Sequence, residues 1–177
     1  MKTLEGIVVK DLRSLIKWAG SFDQNHNSKS DLGGLNFTLS LVALVACESI
    51  GFYITGASRN RHSQCPDQVD PGFYMMEFMN RYFPQKSYFK KLSKVLADFL
   101  RHALVHGFGS TNPKVGFRVG LFIRADSQDQ IRAGTRQGKK FLALNSIALA
   151  EHSISAFERL KKSVTEGEGP GAAQKHG

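Results

Sequence analysis

Residues 35–56, LNFTLSLVALVACESIGFYITG, constrain this chain more than any other stretch, because they are apolar almost without interruption. A helix that is apolar nearly all round must be surrounded, either by lipid or by other protein elements. The run is close to the length that crosses a bilayer. Glu48 sits near its centre, however, with Asn36, Thr38, Ser40 and Ser49 along it, and an unpaired carboxylate at that depth is costly. The stretch therefore reads as the central helix of a bundle, over about residues 35–53, with no membrane partner. The rest of the chain must supply its surroundings.

Those surroundings are legible as periodicities. Leu4, Val8, Leu12, Leu15 and Ile16 form one stripe at helical spacing over residues 4–18. Residues 21–34 are rich in Asn, Ser, Asp and Gly and read as a loop. A short third helix over 73–83 is stopped by Pro84. Ser87 stands as the N-cap of a fourth helix whose inward stripe is Tyr88, Leu92, Val95, Leu96, Phe99 and Ala103, closed by Gly107 and Gly109. Beyond Pro113 the period falls to two: Val115, Phe117, Val119, Leu121 and Ile123 alternate with Gly116, Arg118, Gly120, Phe122 and Arg124, which predicts a strand. Residues 126–138 read as a loop, and 141–145 as the returning strand of a hairpin. Ile147, Ala150, Ile154, Phe157, Leu160 and Val164 predict a last helix, and residues 166–177 a disordered tail. The expected fold is mainly α: a bundle of four to five helices with a small β-hairpin before the C-terminal helix, one domain over residues 1–165, without internal repeats.

The 177 residues hold 24 Lys and Arg against 15 Asp and Glu, a formal charge of +9 that favours polyanionic partners. Cys47 in an apolar run and Cys65 in a polar one make no disulfide framework, which fits a reducing, cytoplasmic location. Lys2, Glu5, Lys10 and Asp11 interrupt the first segment, so no signal peptide is expected.

The segment that bears chemistry is LADFLRHALVHGFG, residues 96–109. Arg101 offers a planar cation suited to gripping phosphate, and His106 titrates near neutrality, which together form a minimal kit for phosphodiester cleavage. Five residues on an ideal helix turn about 140°, so the two side chains diverge unless the helix frays at Gly107 or a second copy brings its own pair alongside. His102 and His106 do share a face, but no Glu of an H-E-x-x-H arrangement and no third ligand accompanies them, so no metal is expected. Asp98 is placed to pair with Arg101 or His102 on the helix surface.

This R-x4-H segment, late in a helical bundle and ending at glycine, resembles the motif of the HEPN superfamily, of which the chain looks like a divergent, bacterial-type member. The resemblance implies Arg101 and His106 as the motif pair, with His102 as the polar residue after the arginine. It also implies a homodimer that brings two pairs into one cleft, and RNA cleavage that needs no metal or other cofactor. The ribose 2′-hydroxyl would attack the adjacent phosphorus, with histidine moving the proton and arginine stabilising the phosphorane. Members paired with an antitoxin often carry R-x4-H-x-Y; here Phe108 holds the tyrosine position.

Glu48 is a candidate to orient Arg101 or His106 from the central helix. Arg59, Arg61, Arg118, Arg124, Arg132, Arg136, Lys139 and Lys140 are candidates for an RNA groove. Trp18, Tyr53, Tyr74 and Tyr82 read as core or dimer-interface residues, and Cys47 as a core residue. Three functions stay open: a dimeric endoribonuclease, a non-catalytic RNA- or nucleotide-binding module, and a dimeric scaffold that engages a regulatory protein such as an antitoxin.

Overall fold

A computed structural model describes residues 8–24, 32–56, 72–97, 117–124, 126, 128–136 and 138–167. These form a mainly helical fold with a small three-stranded sheet ahead of the last helix. The first helix, α1 (Lys10–Gln24), turns Leu12 and Ala19 into the core just after buried Val9; of the predicted stripe Leu12 is fully buried, Val8, Leu15 and Ile16 are half-buried against the core, and the helix runs on into the expected loop.

The apolar stretch forms α2 (Leu32–Gly51), which ends in a wider-wound turn, Phe52–Gly56. It packs against α1, against α3 (Phe73–Tyr82) and against the last helix, α6 (Ser146–Thr165). Among the described residues, Leu35–Thr55 is the one helical stretch apolar and long enough to cross a bilayer, and 44% of its most apolar window is buried inside the fold. Its core face is Leu35, Leu39, Ala43, Leu44, Cys47 and Ile50. Ser40 donates to Ser146 at 2.9 Å, and the Cys47 thiol donates to Ser153 at 3.4 Å. The two bonds lie seven residues apart on both helices and in the same order, so α2 and α6 run parallel along a seam of small side chains. Gly51 makes the crossing with α3 possible: a Cβ there would lie 1.9 Å from the Tyr74 carbonyl oxygen.

At the entry to α3, Gly72 has φ +121°, and a Cβ there would meet the Ala97 methyl at 2.7 Å. The helix ends where Phe83 turns extended before Pro84, the backbone that proline imposes on its predecessor. The expected fourth helix is, over its described part, two short pieces: α4 (Tyr88–Lys91) and α5 (Ser93–Val95). Leu92 between them leaves helical geometry at φ −99°, ψ 10°. Its inward stripe is shifted by one residue. Phe89 is fully buried, whereas Tyr88 is exposed. Ser87 has the extended backbone of an N-cap but makes no capping bond, because its hydroxyl pairs with His152 Nδ1 at 2.7 Å.

The largest correction concerns the sheet. The strand predicted beyond Pro113, β1 (Phe117–Phe122), does not form a hairpin with the strand before the last helix, β3 (Lys139–Asn145). The two pair in parallel. The expected loop contributes β2 (Ile131–Arg136), which joins β3 by a tight antiparallel turn with Gly138 at φ +72°. The strand order is β1-β3-β2. IRAGTR is too poor in apolar residues for its alternation to show in the sequence, yet as an edge strand it needs little burial.

Val119, Leu121, Ile131, Leu142 and Leu144 pack from one face of the sheet onto the helical core. Asn145 joins sheet to helix. Its carboxamide N–H groups donate to the carbonyls of Arg124, Asp126 and Asp129 at 2.9–3.2 Å, and its Oδ1 accepts from Ile147 N as the N-cap of α6. One fully buried side chain thus fixes both the β1–β2 connection and the start of α6.

Candidate nucleic-acid interface

Register decides which positions lie on the face away from the core. Across the three strands the outer positions are Arg118, Gly120 and Phe122 on β1, Lys139, Phe141 and Ala143 on β3, and Arg132, Gly134 and Arg136 on β2. Paired residues share a face. Arg118, Phe141 and Gly134 therefore form one row, Gly120, Ala143 and Arg132 the next, and Arg136 and Lys139 close the hairpin end. Arg124, two residues past Phe122, carries the face into the β1–β2 connection.

The floor of this face is low at Gly120 and Ala143, which raise at most a methyl above the backbone. Its aromatic residues, Phe122 and Phe141, are half-exposed. The Phe141 ring lies over Gly134, where a Cβ would come within 3.0 Å of it. Arg132 places its guanidinium 4.5 Å from the centroid of Phe122. The same guanidinium donates from Nε and Nη2 to Asp129 at 3.1 and 2.5 Å, and Arg124 Nη1 reaches that carboxylate at 3.3 Å. Hydrogen bonds from Arg132, with both arginine charges adding, hold the Asp129 carboxyl below the usual carboxylate range. Because the Asp129 carbonyl is bonded to buried Asn145, the arginine planes are anchored to the fold.

Of the predicted RNA-contacting residues, the register brings Arg118, Arg132, Arg136 and Lys139 to one face, and Arg124 to its edge. Lys140 is exposed but occupies the opposite face, beside Thr135 in the pairing. Arg59, Arg61, Asp98, Arg101, His102 and His106 lie outside the described residues, as do His62 and Cys65. Glu48 is half-buried on α2 and not sealed in the core. Trp18 and Tyr53 are 57% and 63% exposed, so of their two readings, core or dimer interface, the first is corrected, while Tyr74 and Tyr82 are half-buried.

Cys47 is the core residue that its apolar run predicts, whereas the pairing of Ser87 with His152 was not visible from spacing. Cys47 is completely buried, and burial pushes its thiol up to about 12, so it is a core residue and not a nucleophile. His152, on α6, sits edge-on to Phe83 and Phe89 against the buried Ser87 hydroxyl. Burial lowers its pKa, and the nearby Arg159 lowers it further. Ser87 and His152 are 65 residues apart in sequence, and no local pattern links them. Among the described residues, no three His, Cys, Asp or Glu side chains converge as a metal site would require. Compared with protein-family models, curated proteins and solved structures, the chain matches none.

Proposed function

We propose that this protein binds RNA and that the outer face of its three-stranded sheet makes the contact. The register carries the reading: Arg118, Arg132, Arg136 and Lys139 hold positions on a single face that the core does not use. Cations spaced along strands follow a phosphate backbone, and the formal charge of +9 supplies a favourable long-range field. Aromatic side chains between the cations favour a nucleic acid over a simple anion.

The HEPN-like R-x4-H segment adds a proposed activity. In a homodimer, Arg101 and His106 would serve cleavage in which the ribose 2′-oxygen bonds to the adjacent phosphorus and the bond from phosphorus to the 5′-oxygen breaks. The products are a 2′,3′-cyclic phosphate and a 5′-hydroxyl. A base takes the 2′ proton and an acid returns one to the leaving oxygen. His106 suits one of these roles, and Arg101 suits the phosphorane charge.

A single assay tests both parts. Purified protein is incubated with a mixed RNA pool in EDTA, and retention and cleavage are followed separately for wild type, Arg132→Ala with Lys139→Ala, Arg101→Ala and His106→Ala. The binding reading expects the sheet pair to lose retention. The nuclease reading expects the last two variants to lose cleavage while keeping most retention. Wild-type retention in the sheet pair contradicts the first, and absence of cleavage by wild type contradicts the second.

A further inference from the structure

We infer that the sheet face selects single-stranded RNA, holding unpaired bases against the planes of Arg132 and Phe141. This rests on the sheet face being the RNA contact. Phosphate contacts alone would need only the cations, and two half-exposed phenylalanines between them have no role in such contacts. They do suit a strand whose bases are free. In a duplex the base faces are stacked on one another, whereas an unpaired base offers its face to an aromatic ring or to a guanidinium plane.

The geometry favours Arg132 and Phe141 as the two planes. Arg132 is pinned from two directions, by Phe122 beneath it and by Asp129 at its edge, so its planar group is oriented before any ligand arrives. Phe141 lies down over Gly134, two residues along β2 from Arg132 and on the same face, so the backbone positions beneath the ring and at the base of the arginine are about 7 Å apart along the strand. Between and beside them Gly120 and Ala143 keep the floor low. A Cβ added at Gly120 would meet nothing within 4 Å, so the space above it is open to a ligand. Lys139 and the position of Arg136 lie at the hairpin end and that of Arg118 beside Phe141, flanking the platforms where a backbone entering and leaving them needs cations.

The test uses the full chain with two probes, an unstructured 12-nucleotide oligouridylate and a 12-base-pair RNA duplex, in EDTA at several salt concentrations. Phe141→Leu keeps an apolar cover over Gly134 but removes the aromatic plane, and Phe141→Trp restores one. Wild type is expected to prefer the single strand. Phe141→Leu should weaken single-strand binding about five- to thirty-fold with the salt slope unchanged, and Phe141→Trp should recover it. Circular dichroism and thermal melting confirm that each variant folds. Equal affinity of wild type for both probes, or wild-type single-strand affinity in a folded Phe141→Leu, overturns the inference. Lys139→Ala separates this failure from that of the underlying reading. If it lowers affinity and salt slope while Phe141→Leu does nothing, stacking alone is wrong; if neither variant has an effect, the sheet face is not the RNA contact.

Discussion

Protonating His152 opposes its burial between Phe83 and Phe89. Its folded pKa lies below the ordinary 6.5, so the unfolded chain takes up the proton first as pH falls. The stability it contributes is complete above about pH 6.5 and is lost as pH drops from there toward the folded value. Thermal unfolding followed from pH 8 to 5 should show a decline beginning below 6.5. In His152→Gln, which keeps a partner for Ser87, that decline should be smaller; an unchanged profile would separate His152 from the effect. Cys47 should resist alkylation in the native protein and react on unfolding, as mass mapping of the modified peptide would show, because its thiol is buried and pushed up to about 12. At this scale the sequence was informative for one strand. Arg118, Gly120 and Phe122 are outward positions by simple alternation, and the register keeps them so. Contacts such as Ser87 with His152 depend on how separate elements pack and leave no trace in local spacing.

The central helix is legible as an element because its apolar length leaves few alternatives, and the parallel seam with α6 shows how it is accommodated. Its tightest point is Gly51. A methyl there has to displace the Tyr74 backbone, so Gly51→Ala should destabilise the fold by about 1–3 kcal/mol, measured by urea unfolding. Asn145→Ala should cost about 2–3 kcal/mol, since it removes the α6 cap and leaves carbonyls of the β1–β2 connection without their donor. Wild-type stability in either variant would contradict the packing described. The sheet was only half legible for a physical reason. Hydrophobic alternation marks strands that bury a face, and β1 and β3 do so around Val119 and Leu144. Edge strand β2 buries little beyond Ile131, and it carries Arg132, Gly134 and Arg136 instead. The same composition that hid β2 as a strand is what makes its outer face basic.

For the whole molecule, the positive charge becomes specific through topology. Inserting β3 between β1 and β2 brings two arginine-bearing strands to either side of Lys139 and Phe141, a juxtaposition that a simple hairpin of β1 and β3 would lack. The Arg101–His106 segment, the first candidate from the sequence, lies outside the described residues, and its proposed activity is a separate matter. The claim that the sheet binds RNA comes before any question of cleavage. Its most direct test is the salt dependence of oligouridylate affinity, measured for wild type and for Arg132→Ala combined with Lys139→Ala. Binding should weaken and the logarithmic salt slope become shallower by roughly two, about one for each cation removed from phosphate contact. An unchanged affinity and an unchanged slope in the folded double variant would contradict it.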